Sequence, residues 1–364
     1  MNKIGILADE GQPSRDVTRI VQDLLDEPRR NTVDDSTSVL TGTWPGVGEV
    51  EVRVATVPMS PDGDVMLSEH ARTILDTHGW ERFIYVTDLP LTAWERPVVS
   101  QRARGAAAVL ISLPALGAFG TTRRLRRELV SLIEDDRALT GVRRGGPDLA
   151  EGAESDDSAD VETRVLDHRG RSLRLILGMI RGNQPGRLLP VLSSSLAAMV
   201  ATGGFGIFYG SIWKLAEEMS FPRLVLISTF AVISFTAWLI IHNRLWQRSH
   251  TQETRWRERI DNLATIGTIG MTGLILYLLV LAVLFVSSAV VIPVGYLEAE
   301  LERQVGLPTY MSIAALSASL GAMAGALGSN FDRDVEIRSA TYNLREYERR
   351  LQSGHYTDKA RREG

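Results

Sequence analysis

The sequence predicts two folded parts: an α/β domain with a mainly parallel sheet at residues 1–137, and an all-α membrane domain of four helices at 188–330. Three observations carry that reading. Strand and helix signals alternate through the first part. Long apolar runs with no charge in their middles fill the second. Arginine is crowded into alternate loops between those runs.

In the first part, Lys3–Ala8 reads as a strand, and 14–26 as a helix that turns Val17, Ile20, Val21, Leu24 and Leu25 inward. Residues 49–57 alternate as a strand and 66–78 are helical. Residues 83–87 and 106–112 are short continuous apolar runs, the mark of strands buried on both faces. Residues 121–136 form a last helix, and 162–167 offer one further strand. Strands alternating with helices imply a mainly parallel sheet of Rossmann or flavodoxin type.

Between the two parts, 138–161 are rich in Gly, Ala, Ser and acid and read as a disordered acidic linker. Residues 162–187 hold the extra strand and then RSLRLILGMIR, whose Leu173, Ile176, Leu177 and Ile180 share one helical face opposite arginines. That pattern predicts an amphipathic helix on the anionic inner leaflet, with an ordinary helix packed on the α/β domain as the other reading.

The four spans fall at 188–213, 223–242, 263–294 and 309–330, each long enough for a hydrocarbon core of about 30 Å. The third is overlong, and with no polar turn inside it reads as one long helix. Arginines cluster before the first span, between the second and third, and after the fourth, whereas the other two loops are balanced or acidic. The positive-inside rule then puts both termini in the cytoplasm of a multi-pass plasma-membrane protein. No secretory signal is expected at Met1, where the opening strand meets Asp9 and Glu10 at once. Residues 331–364 read as a charged helical tail, solvent-exposed or packed beside the α/β domain. Within the fourth span, Ser317, Gly321 and Gly325 repeat at four-residue spacing. Such a face packs closely within the chain or forms a homo-oligomer seam.

Composition narrows the chemistry. There is no cysteine, so disulfides and thiolate metal sites are excluded, and the six histidines show no metal-ligand spacing. A metal is not expected from them, the cofactor is left open, and no nucleic acid is expected as a partner. GxGxxG, GxxxxGK[ST] and GxSxG are all missing.

Ligands of parallel sheets sit beyond the carboxyl ends of the strands. Three loops fall there. The first offers Asp9, Glu10, Gly11, Ser14 and Arg15; the second, Thr87 and Asp88; the third, Ser112, Gly117, Gly120, Thr121, Thr122 and Arg123. In the third loop the glycines allow close backbone approach, the threonines can cap the next helix, and a helix N-terminus favours an anion. Arg123, Arg124, Arg126 and Arg127 oppose that helix dipole unless something negative lies near. A small anionic ligand is one expectation; a Gly-rich turn with a solvated basic helix is the other. Asp9, Glu10 and Asp88 together suggest a carboxylate cluster for acid–base work, which is also the pattern of a Mg²⁺ site, or else ordinary helix- or turn-capping at strand ends.

The chain resembles a family of uncharacterised actinobacterial four-helix integral membrane proteins with an N-terminal cytoplasmic Rossmann-like domain. The resemblance lies in Thr87-Asp88-Leu89-Pro90, in Ser112-Leu113-Pro114-Ala115-Leu116-Gly117, in residues 177–185 (LGMIRGNQP) and around Ile212-Trp213. It implies fold and topology and no established activity. Some members carry a label borrowed from methylenetetrahydrofolate dehydrogenase, and the residues here show neither a folate-site Tyr/Lys motif nor a nucleotide fingerprint. Three functions compete: a membrane-anchored sensor or regulatory module, an oligomeric channel or transporter gated by the cytoplasmic domain, and a membrane-tethered enzyme with Asp9 and Asp88 at its centre. Ser193–Ser195, Thr265, Thr268, Thr272, Ser287 and Ser288 are the hydroxyls available to line a pore.

Overall fold

A computed structural model describes residues 3–34, 37–60, 64–103, 106–134, 151–154, 161–247 and 255–352. The chain divides into two compact units. One comprises Met1–Gly182, Ser249–Asp261 and Tyr342–Gly364; the other comprises Asn183–Arg248 and Asn262–Thr341.

The first unit is a mixed sheet with helices on both faces. Its elements run β1 (Lys3–Ala8), α1 (Gln12–Gln22), β2 (Asp26–Asp34), β3 (Thr37–Trp44), β4 (Gly48–Val54), α2 (Leu67–His78), β5 (Arg82–Thr87), β6 (Thr92–Ala93), β7 (Arg96–Ala103), β8 (Ala108–Ser112), α3 (Thr121–Glu134), β9 (Glu151–Glu154), β10 (Val161–Leu166) and α4 (Arg171–Asn183). The strand order is β2-β3-β4-β1-β5-β8-β7-β10-β9, with β6 beside β7. The middle four strands are parallel: β1 pairs with β4 and β5, and β5 with β8. Both flanks are antiparallel, which corrects the expectation of a mainly parallel sheet.

The reason lies in composition. Central strands are apolar on both faces: Ile4, Ile6, Ile84, Val86 and Ile111 join one cluster with Val17 of α1 and Leu125 of α3. Leu7, Phe83, Tyr85 and Leu110 join the opposite cluster with Leu67 and Ala71 of α2. The flanking strands DEPRRNTVD and RPVVSQRA are polar and carry proline, so no apolar run announces them. Gly5 is needed in β1 because a Cβ there would run into the Trp80 ring. The expected extra strand is β10, paired to β7. Within the stretch expected to be a disordered linker, Glu151–Glu154 form β9 against β10; residues 135–150 and 155–160 lie outside the described residues.

Helix α4 has one face buried. Leu175, Gly178 and Met179 are buried, and a Cβ on Gly178 would overlap the Pro114 carbonyl oxygen. The helix therefore packs on the α/β unit through the loop after β8, although Leu173 stays exposed.

The second unit is helical: α5 (Leu188–Val191), α6 (Ser193–Phe208), α7 (Gly210–Glu217), α8 (Phe221–His242), α9 (Arg255–Val291, of which residues from 262 onward belong here), α10 (Val294–Leu301), α11 (Leu307–Gly328) and α12 (Asp334–Thr341). Among the described residues, three helices are long and apolar enough to cross a membrane: α8, α9 and α11. A fourth crossing requires Arg171–Val191 and Ser193–Phe208 to count together as one broken span. The expected continuous first span at 188–213 is thus corrected. Leu192 is non-helical and Tyr209 is extended, and Trp213 Nε1 donates to the Ile207 carbonyl at 2.9 Å beside the second break. The long third segment is one unbroken helix of 37 residues, about 55 Å at 1.5 Å per residue.

Ser317, Gly321 and Gly325 lie on α11 against α6. A Cβ on Gly321 would meet the Met199 carbonyl, one on Gly325 would meet the Met199 side chain, and one on Gly206 of α6 would meet Ser317. The small-residue face is used inside the chain. The second part of the expected tail, 353–364, lies outside the described residues, whereas α13 (Leu344–Gln352) belongs to the α/β unit.

Candidate functional site at the carboxyl edge of the sheet

The strand order reverses between β1 and β5, and the loops leaving those strands bring Asp9, Thr87 and Asp88 together. Asp9 N–H donates to the Val86 carbonyl at 3.0 Å, tying the end of β1 to β5. The Asp9 carboxylate accepts from the hydroxyls of Tyr85 and Thr87, both on β5, and is fully buried. Thr87 Oγ1 also accepts from Leu89 N–H at 3.1 Å, and Ser112 Oγ donates to the Leu89 carbonyl at 2.8 Å. Asp88 is 3% exposed, and its Oδ1 has no hydrogen-bond partner among the described residues.

What lies on this edge is the chain's own C-terminal helix. Asn343 begins it: its Oδ1 accepts from Glu346 N–H at 2.8 Å, the geometry of an N-cap, while its Nδ2 donates to the Asp88 carbonyl at 2.9 Å. Arg345 Nη2 donates to the Val57 carbonyl at 2.6 Å, and Nε stands 3.4 Å from Asp9 Oδ1. Nη1 pairs with Glu348 on the next turn at 2.9 Å. Arg349 Nη1 donates to the Pro90 carbonyl at 3.4 Å, and Nη2 pairs with Glu346 at 2.7 Å and with Asp261 at 3.3 Å. Arg350 pairs with Glu346 at 2.8 Å and lies 3.9 Å over the Tyr342 ring. Arg345, Glu346, Arg349 and Arg350 are all buried.

Burial sets the protonation of this cluster. It pushes the Asp9 carboxyl above its ordinary value, although Arg345 and the two hydroxyls pull the other way. Asp88 is raised well above the usual carboxyl range by burial and then by the charge of Asp9. Tyr85 is pushed up by burial and by the neighbouring Asp9, so it stays a neutral donor. Glu346 also meets the cost of burial, but Arg349 and Arg350 outweigh it and hold the carboxyl low.

The other expected site residues are placed differently. Glu10 and Arg15 are exposed, so Glu10 does not join Asp9 and Asp88. Gly11 caps α1 at φ 102°, and Ser14 Oγ donates to its carbonyl at 3.1 Å. In the third loop, Gly117 has φ 85° and Gly120 φ 67°. Thr121 Oγ1 donates to the Gly117 carbonyl. Arg124 Nη1 donates to the carbonyls of Leu116 and Phe119 at 2.7 and 2.8 Å, and Arg174 of α4 reaches Leu116 at 3.3 Å. Part of the positive charge that seemed to call for an anion is therefore met by backbone carbonyls. Thr122 is half-buried and Arg123 exposed. Among the described residues, no group of three or more His, Asp or Glu side chains is arranged to hold a metal ion.

Sequence reasoning found Asp9, Thr87 and Asp88 and missed Tyr85, Asn343 and Arg345. Tyr85 sits inside a strand, and its hydroxyl was the available signal. Comparison with protein-family models, with curated proteins and with solved structures found no match.

Proposed function

We propose that the chain is a membrane-anchored regulatory module whose α/β unit is held shut, at the edge where such sheets bind ligands, by its own C-terminal helix. One observation carries this: α13 and Asn343 before it engage three adjacent points of the edge, Asp9, the Asp88 carbonyl and the Pro90 carbonyl. The parallel order β4-β1-β5-β8, with its reversal beside Asp9, supports a doubly wound, flavodoxin-like reading of the central sheet.

The same unit supports a topology with both termini in the cytoplasm of a plasma-membrane protein. It is built from segments before α8, between α8 and α9, and after α11. Those segments share one side only if the chain crosses an even number of times between each pair, so the fourth crossing falls between Asn183 and α8, where α6 lies. On the opposite side, Lys214 pairs with Glu300 at 2.8 Å and Arg303 with Glu217 at 2.7 Å, joining the two arginine-poor loops.

A pore has less support. Thr268, Thr272, Ser287 and Ser288 donate to carbonyls of their own helix, and Ser195 donates to Asp332. The enzyme reading rests on Asp9 and Asp88, which lie beneath α13.

The test is Arg345→Ala in the full chain in detergent, followed by hydrogen exchange. Residues 344–352 and 83–91 should both lose protection, by tenfold or more, while α11 is unchanged. Full protection of α13 in this variant would refute the latch.

A further inference from the structure

Arg345 fills its place on the sheet edge imperfectly. Its Nε is 3.4 Å from Asp9 Oδ1 but is not aligned for a hydrogen bond, and Nη1 is satisfied by Glu348 of its own helix rather than by the sheet. The receiving side, by contrast, is set without the tail. Tyr85 and Thr87, both on β5, fix the Asp9 carboxylate, and the Val57 carbonyl lies alongside. Asp88 Oδ1 is buried there with no partner. A carboxylate oriented by two hydroxyls and a carbonyl present acceptors, and the Asp88 carboxyl adds a carbonyl oxygen even where its raised pKa keeps the proton on. An anion would meet like charge. A planar guanidinium presents five donors in a fork and can bind a carboxylate through two parallel bonds, whereas an ammonium is a point charge.

The geometry points to a guanidinium-binding subsite between the ends of β1 and β5, occupied in cis by Arg345 and able to exchange it for a small guanidinium-bearing ligand. This inference rests on the latch reading and names the ligand class of the same site. An untethered guanidinium, free of the helix that keeps Arg345 at a distance, can align on Asp9 and also reach Asp88.

The experiment uses the full chain in detergent, wild type and Arg345→Ala, with methylguanidinium or methylammonium at equal millimolar concentration. In the variant, methylguanidinium should restore protection at 83–91 and raise the melting temperature, and methylammonium should not. In the wild type, methylguanidinium should speed exchange at 344–352 several-fold by competing with Arg345. If the variant does not fold, the wild-type competition decides alone. Equal responses to the two cations, or none to either, would overturn the subsite. The latch itself fails on a different result, unchanged exchange of α13 in Arg345→Ala without any ligand.

Discussion

At the residue scale the decisive pair is Asp9 and Asp88, two buried carboxyls facing one guanidinium. A carboxyl whose pKa is raised in the folded state binds its proton more tightly there than in the unfolded chain. Its contribution to stability is complete below the ordinary value of 3.8 and is lost as pH rises through the raised one. The α/β unit should therefore lose melting temperature as pH climbs above the ordinary carboxyl range. Asp88→Asn keeps the shape and removes the titration, so thermal melts over a pH series should show a shallower decline. Some slope will remain, because Asp9 is raised too. A variant with the full wild-type slope would show that Asp88 is not the titrating group. Asp9 and Asp88 were legible because each stands where an apolar strand stops. Arg345 was not, since LREYERRLQ carries charge on nearly every turn and reads as a solvated helix.

At the element scale, helices approach one another where glycine removes a Cβ. Gly178 of α4 sits on the Pro114 carbonyl, and Gly321 of α11 sits on the Met199 carbonyl of α6. Overpacking of this kind typically costs about 1–3 kcal/mol. Gly178→Val should loosen α4 from the loop after β8, and Gly321→Val should part α6 from α11. Limited proteolysis near 117 and thermal melting in detergent respectively would register the two losses, and wild-type behaviour in either would contradict the packing described. The membrane helices α8, α9 and α11 were readable because uncharged apolar runs have few other fates. The break at Tyr209 was not, because the glycines and serines around it suit a continuous span equally well. Strands β2, β3 and β7 escaped notice for lack of apolar alternation, and they make the sheet mixed.

At the scale of the whole molecule, topology is open to a clean measurement because the chain has no cysteine. Single cysteines at Glu10, Arg123, Glu258 and Arg333 should be shielded from a membrane-impermeant maleimide in intact cells and react once the cells are opened. Single cysteines at Glu218 and Glu302 should react from outside. Labelling of Arg123 and Glu218 from the same side would remove the fourth crossing and with it the proposed cytoplasmic assignment of the α/β unit.

The position of α13 in the chain also bears on biogenesis. Asn343 and the Asp88 carbonyl it grips are 255 residues apart. At a synthesis rate of about 5–20 residues per second, Asp88 leaves the ribosome roughly 13–50 seconds before Asn343. Throughout that interval the nascent sheet has its acidic edge uncovered, while the intervening spans are still being inserted. Closure of this edge by α13 must therefore wait until the last long apolar helix, α11, has been synthesised, so a shortened chain that ends after α11 would leave the crevice open.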